Sequence, residues 1–291
     1  MSRANFATFT VTAIALVAAT ACASGPNAPE LTPEQEAYQA AMEAASRPAS
    51  PEQIAAAERS DPLTRANFWA EEYRKNAADE QTIITFMRAL RRIGSYDRVI
   101  DVATKALPIH PGNYEILLEL GRSQLAKNSP QEAAAAFVRS ADLAPVDIAA
   151  PLAALGVAFD RMENHNKAQE AYRLALQREP DRISTLSNYG LSLALSGDLI
   201  NAEAQLRTAA ALPGANMRVR QNLALVLGLQ GRFDEMAAVD PDAPSRTIEA
   251  NRQALRAMMI PERSNTAIGS EAEQPDADIA LRPKLRGSQN N

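Results

Sequence analysis

The sequence predicts an all-α fold, a solenoid of antiparallel helix pairs with about four to five repeats and a final capping helix. Three observations predict it. A small residue recurs at a regular interval, since Gly121, Gly156 and Gly190 lie 35 and 34 residues apart. Helix-capping residues recur at a similar interval, and aromatic residues make up only 5% of the chain. A period of this length is typical of helix–turn–helix repeats that stack to share a core.

The clearest copy of the repeat runs from about residue 149 to 182. Its small residues, Gly156 and Ala168, let two helices approach closely, while large residues fill the space on either side. Pro180 ends the second helix, because proline lacks the N–H group that the helix needs. Together these positions resemble the tetratricopeptide repeat (TPR), whose pattern is matched by Leu152, Leu155, Gly156, Phe159, Ala168, Tyr172, Ala175 and Pro180.

Capping residues stand where the second helix of each pair should begin. They are Ser, Asn or Asp, whose side chains accept hydrogen bonds from the first N–H groups of a helix. The stretch Ser129-Pro130-Gln131-Glu132 also matches a capping box with proline at the first helical position. We therefore expect helices to start after Ser95, Ser129, Asn164 and Asp198.

Composition divides the chain into four segments. Before the repeats, an Ala/Glu/Gln-rich stretch favours helix but is broken by Pro48 and Pro51. After them the chain becomes polar, as disordered segments do. We expect a lipoprotein signal peptide at 1–21, a tether and partly helical linker at 22–60, the TPR array with capping helices at 61–260 and a disordered tail at 261–291.

The N-terminal segment has the layout of a bacterial export signal. Arg3 precedes an apolar run that ends at Ala19 and is shorter than the about 20 apolar residues that cross a bilayer. The following Ala19-Thr20-Ala21-Cys22, with the chain's single cysteine, resembles the lipobox of bacterial lipoproteins. This resemblance implies a lipid anchor on Cys22 and, because Ala23 follows, the periplasmic face of the outer membrane. The alternative is an ordinary cleaved signal followed by an incidental free cysteine.

Charge and motif content argue against catalysis and nucleic-acid binding. The formal net charge of −5 comes without the clustered Lys and Arg that a nucleic-acid surface needs. His110 and His165 show no spacing suited to a zinc site or an activated nucleophile, and no glycine-rich phosphate loop occurs. We predict no enzymatic activity, no cofactor, no metal and no small-molecule substrate. A murein hydrolase that uses paired carboxylates is the disfavoured enzymatic alternative.

The TPR resemblance implies a concave groove lined by the first helix of each repeat. The Lys/Asn set with which chaperone-binding repeats clamp a carboxylate is missing. The groove is instead apolar with arginines near its N-terminal repeats, which suits an amphipathic helix or an extended apolar segment with some acidic character. The alternative is that some of these residues pack against neighbouring helices and bind nothing. The expected lining residues are Ile84, Arg88, Arg91, Leu118, Arg122, Leu125, Ala153, Val157, Leu191 and Leu225.

Two stretches are more specific than a generic repeat. They run from Ser187 to Leu199 and, after Leu212-Pro213-Gly214-Ala215, from Val219 to Glu235. Both are similar to the TadD-like TPR lipoproteins of tight-adherence (Flp) pilus assembly. This resemblance implies a scaffold at the outer membrane whose partners are protein components of the pilus and secretion machinery, with the secretin as one candidate. The alternatives are a pilotin-like TPR lipoprotein that assists another secretin, and a general adaptor of the cell envelope.

Overall fold

The computed structural model describes residues 32–239 and 244–259, and within these ranges the chain forms helices and turns without a strand. The predicted all-α fold is confirmed. The first seven helices are α1 (Pro33–Ser46), α2 (Pro51–Arg59), α3 (Pro62–Lys75), α4 (Glu80–Arg92), α5 (Tyr96–Ala106), α6 (Tyr114–Ala126) and α7 (Pro130–Leu143). The next seven are α8 (Ala150–Arg161), α9 (His165–Arg178), α10 (Ile183–Leu195), α11 (Leu199–Ala211), α12 (Met217–Leu229), α13 (Phe233–Val239) and α14 (Ser245–Met259).

The chain divides into two compact units, residues 1–178 and 179–291. In the described part of the first unit, α4 packs with α5, α6 with α7, and α8 with α9, and each pair packs on the next. In the described part of the second unit, α10 packs with α11, α12 packs with α13, and α14 packs on α12. The sequence predicts one array over residues 61–260, and the division within it is a finding of the structure.

Each of three helix pairs closes on a glycine of its first helix. A Cβ atom on Gly121 would lie 2.5 Å from Cε1 of Phe137, and a Cβ atom on Gly156 would lie 2.5 Å from Cε1 of Tyr172. At Gly190 the nearest atom would be Cγ of Leu206, at 2.7 Å. Real Cβ atoms do not approach other atoms so closely, so these positions require glycine.

The last helix pair departs from this arrangement. Its second helix, α13, has 7 residues, whereas the second helices of the earlier pairs have 11 to 14. Leu255 of α14 packs against Gly228 of α12, where a Cβ atom would collide with it. Helix α14 stands in the place of the final capping helix that the sequence predicts at the end of the array.

All four helices begin directly after the predicted residues, but a side-chain cap hydrogen bond forms at only two of the four positions. Asp198 accepts a hydrogen bond from the N–H of Asn201, and Asn164 accepts one from Lys167 at 3.3 Å. Ser95 and Ser129 make no side-chain cap hydrogen bond. The backbone ψ angles of Ser129 and Asp198 are alike, at 70° and 71°, but the φ angles differ, at −111° and −84°, and so do the lengths of the two side chains. The carboxylate of aspartate extends one bond further than the hydroxyl of serine.

The signal segment 1–21, the lipid-attachment candidate Cys22 and the tail 261–291 lie outside the described residues. Of the helices that are described, none is long and apolar enough to cross a membrane.

Candidate functional site

The charged part of the predicted groove surrounds a carboxylate that the sequence did not single out. Glu119 of α6 is 1% exposed, and three guanidinium groups approach it. Nε of Arg91 lies 2.6 Å from its Oε2, and Nη1 of Arg122 lies 2.7 Å from its Oε1. Nε of Arg88 lies 3.8 Å from Oε1, while Nη2 of Arg88 lies 2.5 Å from Oε1 of Glu115. We call Arg88, Arg91 and Arg122 the arginine cluster.

The arginine cluster is not neutralised by its partners. Three guanidinium groups face two carboxylates, which leaves one positive charge in excess. The three side chains are 42%, 34% and 33% exposed, so each keeps part of its surface in solvent. A buried carboxylate that pairs with several cations fixes their positions, because its own desolvation makes the charged contacts costly to break. The arginine cluster is therefore a set of hydrogen-bond donors at the surface of the first unit, and the buried carboxylate of Glu119 holds them in position.

Two residues that the sequence places in the groove are buried, and this part of the prediction is wrong. Ile84 is 2% exposed and lies in the core of the first repeats, and Leu118 is 5% exposed among Ala133, Phe137 and Leu155. The physical reason is that the first helix of an inner pair is enclosed. Helix α4 packs against α3, α5 and α6, and α6 packs against four neighbouring helices, so their buried stripes are wide.

The other apolar residues of the predicted groove keep part of their surface. Leu125, Ala153 and Val157 in the first unit are half-buried. In the second unit Leu191 is half-buried and Leu225 is 42% exposed. Half-buried leucine and valine side chains leave apolar area in contact with water. These five residues are therefore the apolar part of the predicted groove that a partner can still reach.

Leu225 lines an apolar pocket in the second unit. The pocket has a volume of about 310 Å³ and lies between α12, α13 and α14. Ala224, Met236, Ile248 and Leu255 form most of its apolar wall. A pocket of this size and character takes an apolar side chain of a partner more readily than a charged group.

A second polar network ties the end of α8 to α9. Nδ1 of His165 lies 2.9 Å from Oδ1 of Asp160, and the hydroxyl of Tyr172 donates to Oδ2 of the same residue at 2.9 Å. Burial, followed by the negative charge of Asp160, raises the pKa of Tyr172 well above its ordinary value. A tyrosine that stays protonated serves as a fixed hydrogen-bond donor, so this network holds the helix pair together. This contact of His165, the first residue of α9, was not predicted from the sequence.

No group of three His, Cys, Asp or Glu side chains suited to a metal ion occurs among the described residues.

Comparisons with known proteins agree with the repeat fold. A family model for the tetratricopeptide repeat matches residues 149–182, the copy that the sequence shows most clearly. A curated relative, the uncharacterized protein y4yS of Sinorhizobium fredii (strain NBRC 101917 / NGR234), is 32% identical over 120 residues, which cover 41% of this chain. The chain spans 65% of the length of that relative.

Two solved TPR structures show the same fold. TTC0263, a thermophilic TPR protein of Thermus thermophilus, is 22% identical with a TM-score of 0.52 and covers 62% of this chain and 100% of its own. YrrB, described as a TPR protein with an unusual peptide-binding site, is 17% identical with a TM-score of 0.50. It covers 67% of this chain and 100% of its own. The helical architecture and these neighbours together identify the fold as a TPR solenoid.

Proposed function

We propose that this TPR protein is a non-enzymatic scaffold lipoprotein that assembles Flp (tight-adherence) pili at the periplasmic face of the outer membrane. The observation that carries the proposal is the placement of Leu191 and Leu225. Both lie in the stretches that resemble TadD-like lipoproteins, and both leave apolar surface exposed on the first helices of their pairs. Exposed apolar surface in a repeat protein is typical of a binding face.

The proposed partners are protein components of the pilus and secretion machinery, with the secretin as one candidate. The TPR fold itself favours a protein partner, and a peptide-binding site is named for YrrB, which shares the fold. The pocket beside Leu225 would take an apolar side chain of such a partner. A lipid on Cys22 would keep the repeats at the membrane where a pilus is built, since acyl chains supply about 0.8 kcal/mol of membrane affinity per buried CH₂.

A charge placed on this apolar surface tests the proposal. Leu225→Glu and Leu191→Glu should each abolish pilus assembly, because a carboxylate in an apolar contact is left without its hydration. Ala204→Glu is the matched control, since Ala204 is exposed but lies on α11, the second helix of the pair that contains Leu191, outside the predicted groove. The measurements are pilus counts by electron microscopy and crosslinking of the protein to its partners, with circular dichroism to confirm that the helices persist.

Pili in normal number with either charged variant, together with unchanged crosslinks, would mean that the working surface lies elsewhere on the chain. Equal loss in all three variants, including the control, would point to a general defect of folding or export rather than to a binding face.

A further inference from the structure

We propose that the arginine cluster (Arg88, Arg91 and Arg122) binds one Asp or Glu side chain of an extended partner segment, and that apolar residues flank this acidic residue. The inference rests on the proposed function as a protein-binding scaffold and adds the chemistry of the bound segment. It depends on the charge balance of the cluster, on its open donor atoms and on the residues that lie beside it.

The charge balance favours a single carboxylate. Glu115 and Glu119 offset two of the three guanidinium charges, so one incoming negative charge makes the group neutral. A run of acidic residues would bring an excess of negative charge close to Glu115, which is 30% exposed. Like charges at short range repel, and this repulsion selects one acidic residue rather than several.

The donors that a carboxylate needs are present and held in place. Arg91 reaches Glu119 through Nε, and within the described part of the chain its two terminal nitrogens have no protein partner. Arg122 uses Nη1, which leaves Nε and Nη2. A guanidinium group binds a carboxylate best through two parallel N–H···O hydrogen bonds, and a fixed guanidinium loses less conformational freedom when it does so.

Apolar surface adjoins the cluster within the same unit. Arg88, Arg122 and Val157 occupy the same repeat position on α4, α6 and α8, which pack side by side. Arg91 and Leu125 share another position on α4 and α6. Val157 and Leu125 are half-buried, so a segment that places its carboxylate among the arginines meets apolar side chains toward α8. This order predicts an acidic residue next to Leu, Ile or Val.

The experiment uses the full chain, with two libraries of short synthetic peptides amidated at the C terminus. One library carries a single Glu flanked by Leu, Ile and Val, and the matched library carries Gln in its place. We expect the wild-type protein to retain the Glu library about tenfold better, the size expected for a charge-assisted bidentate contact. Equal retention of the two libraries, including no retention of either, would overturn the proposal.

Variants locate the preference. Arg91→Gln and Arg122→Gln should each remove it, whereas Arg92→Gln should keep it, because Arg92 lies on the same helix, is exposed and has no ion pair with Glu119. Arg91→Lys keeps the charge near Glu119 and removes the fork, so it should weaken the preference without unfolding the repeats. A preference that survives the variants at both Arg91 and Arg122 would also overturn the proposal.

A variant that is expected to bind the peptides more strongly serves as a control, because misfolding could lower binding but could not raise it. Glu115→Gln releases Arg88 and leaves the contacts of Glu119 intact, so this variant should retain the Glu library more strongly than the wild type does. Capture of a Gln library with a free C terminus, in place of the amidated Glu library, would assign the cluster to a chain terminus and reject the side-chain assignment. If the peptides fail while Leu225→Glu still loses pili, only this inference falls and the scaffold function stands.

Discussion

At the scale of single residues, packing decides which positions tolerate change. Gly156 faces the ring of Tyr172 so closely that even a methyl group would overlap it. Tyr172 cannot retreat, because it is 1% exposed and its hydroxyl is bound to Asp160. The pair is therefore constrained from both sides.

We expect Gly156→Leu to destabilise the protein by about 1–3 kcal/mol, the usual cost of forcing extra volume into a packed contact. Gly112→Ala is the matched control, because no atom lies within 4 Å of the added Cβ there. Its effect should stay within about 0.5 kcal/mol. Thermal unfolding followed by circular dichroism measures both, and similar melting shifts in the two variants would contradict the packing described for Gly156.

The same scale shows what sequence reasoning reaches and what it misses. The repeat period predicted that the paired helices approach closely at the glycines, because a small residue repeated at one position has a simple steric meaning, whereas the large residue that each glycine meets is a finding of the structure. Glu119 escaped notice, since its nearest partner, Arg91, is 28 residues earlier on another helix. Its spacing to Arg122, three residues later on the same helix, predicts a surface ion pair and gives no sign that Glu119 is enclosed. Only the packing of α4 against α6 shows it.

At the scale of helices, the geometry of the N-terminus matters more than the residue type. Asp61 accepts hydrogen bonds from the N–H groups of Leu63 and Thr64 at the start of α3, and Ser50 forms a capping box with Gln53 at the start of α2. Ser129 has a suitable residue type and a Pro after it, yet its hydroxyl makes no cap. Sequence patterns predict where a helix starts, but the cap itself depends on the backbone angles and on the reach of the side chain.

Substitution of two caps separates these cases. Asp61→Ala should cost about 1 kcal/mol, because two N–H groups of α3 lose their acceptor. Ser129→Ala should change the free energy of unfolding by less than about 0.5 kcal/mol, since no side-chain hydrogen bond is lost. Urea unfolding curves give both values. A larger loss at Ser129 than at Asp61 would show that the caps are wrongly assigned.

At the scale of the whole molecule, the repeat period of the sequence and the division of the structure into two units do not coincide. The period continues across residue 178, because Gly156 and Gly190 keep the 34-residue spacing. The contacts nevertheless divide the chain there. A period records where each helix pair begins and which residues close it, and this much the sequence predicts. The number of contacts between one helix pair and the next depends on how their side chains pack, and the repeat period gives no information about that packing.

Membrane attachment is the prediction that belongs to the whole chain. Cys22→Ser should release the protein from membranes, because no described helix could span a bilayer and the acyl chains would be lost. Cell fractionation of the variant, with labelled-palmitate incorporation in the parent, makes the measurement. Membrane retention of the variant and absence of label in the parent would reject lipidation and leave a cleaved signal with a free cysteine.

The contact of each glycine with the large residue of the following helix has a consequence for chimeric proteins. The large residues Phe137, Tyr172 and Leu206 differ in shape. In each pair the surface of the first helix around its glycine fits the large residue of that pair's own second helix. A graft that takes the first helix from one repeat and the second from another would mismatch the two surfaces. The smallest portable piece of this molecule is therefore the complete hairpin, and a library that shuffles hairpins should yield more folded members than one that shuffles single helices.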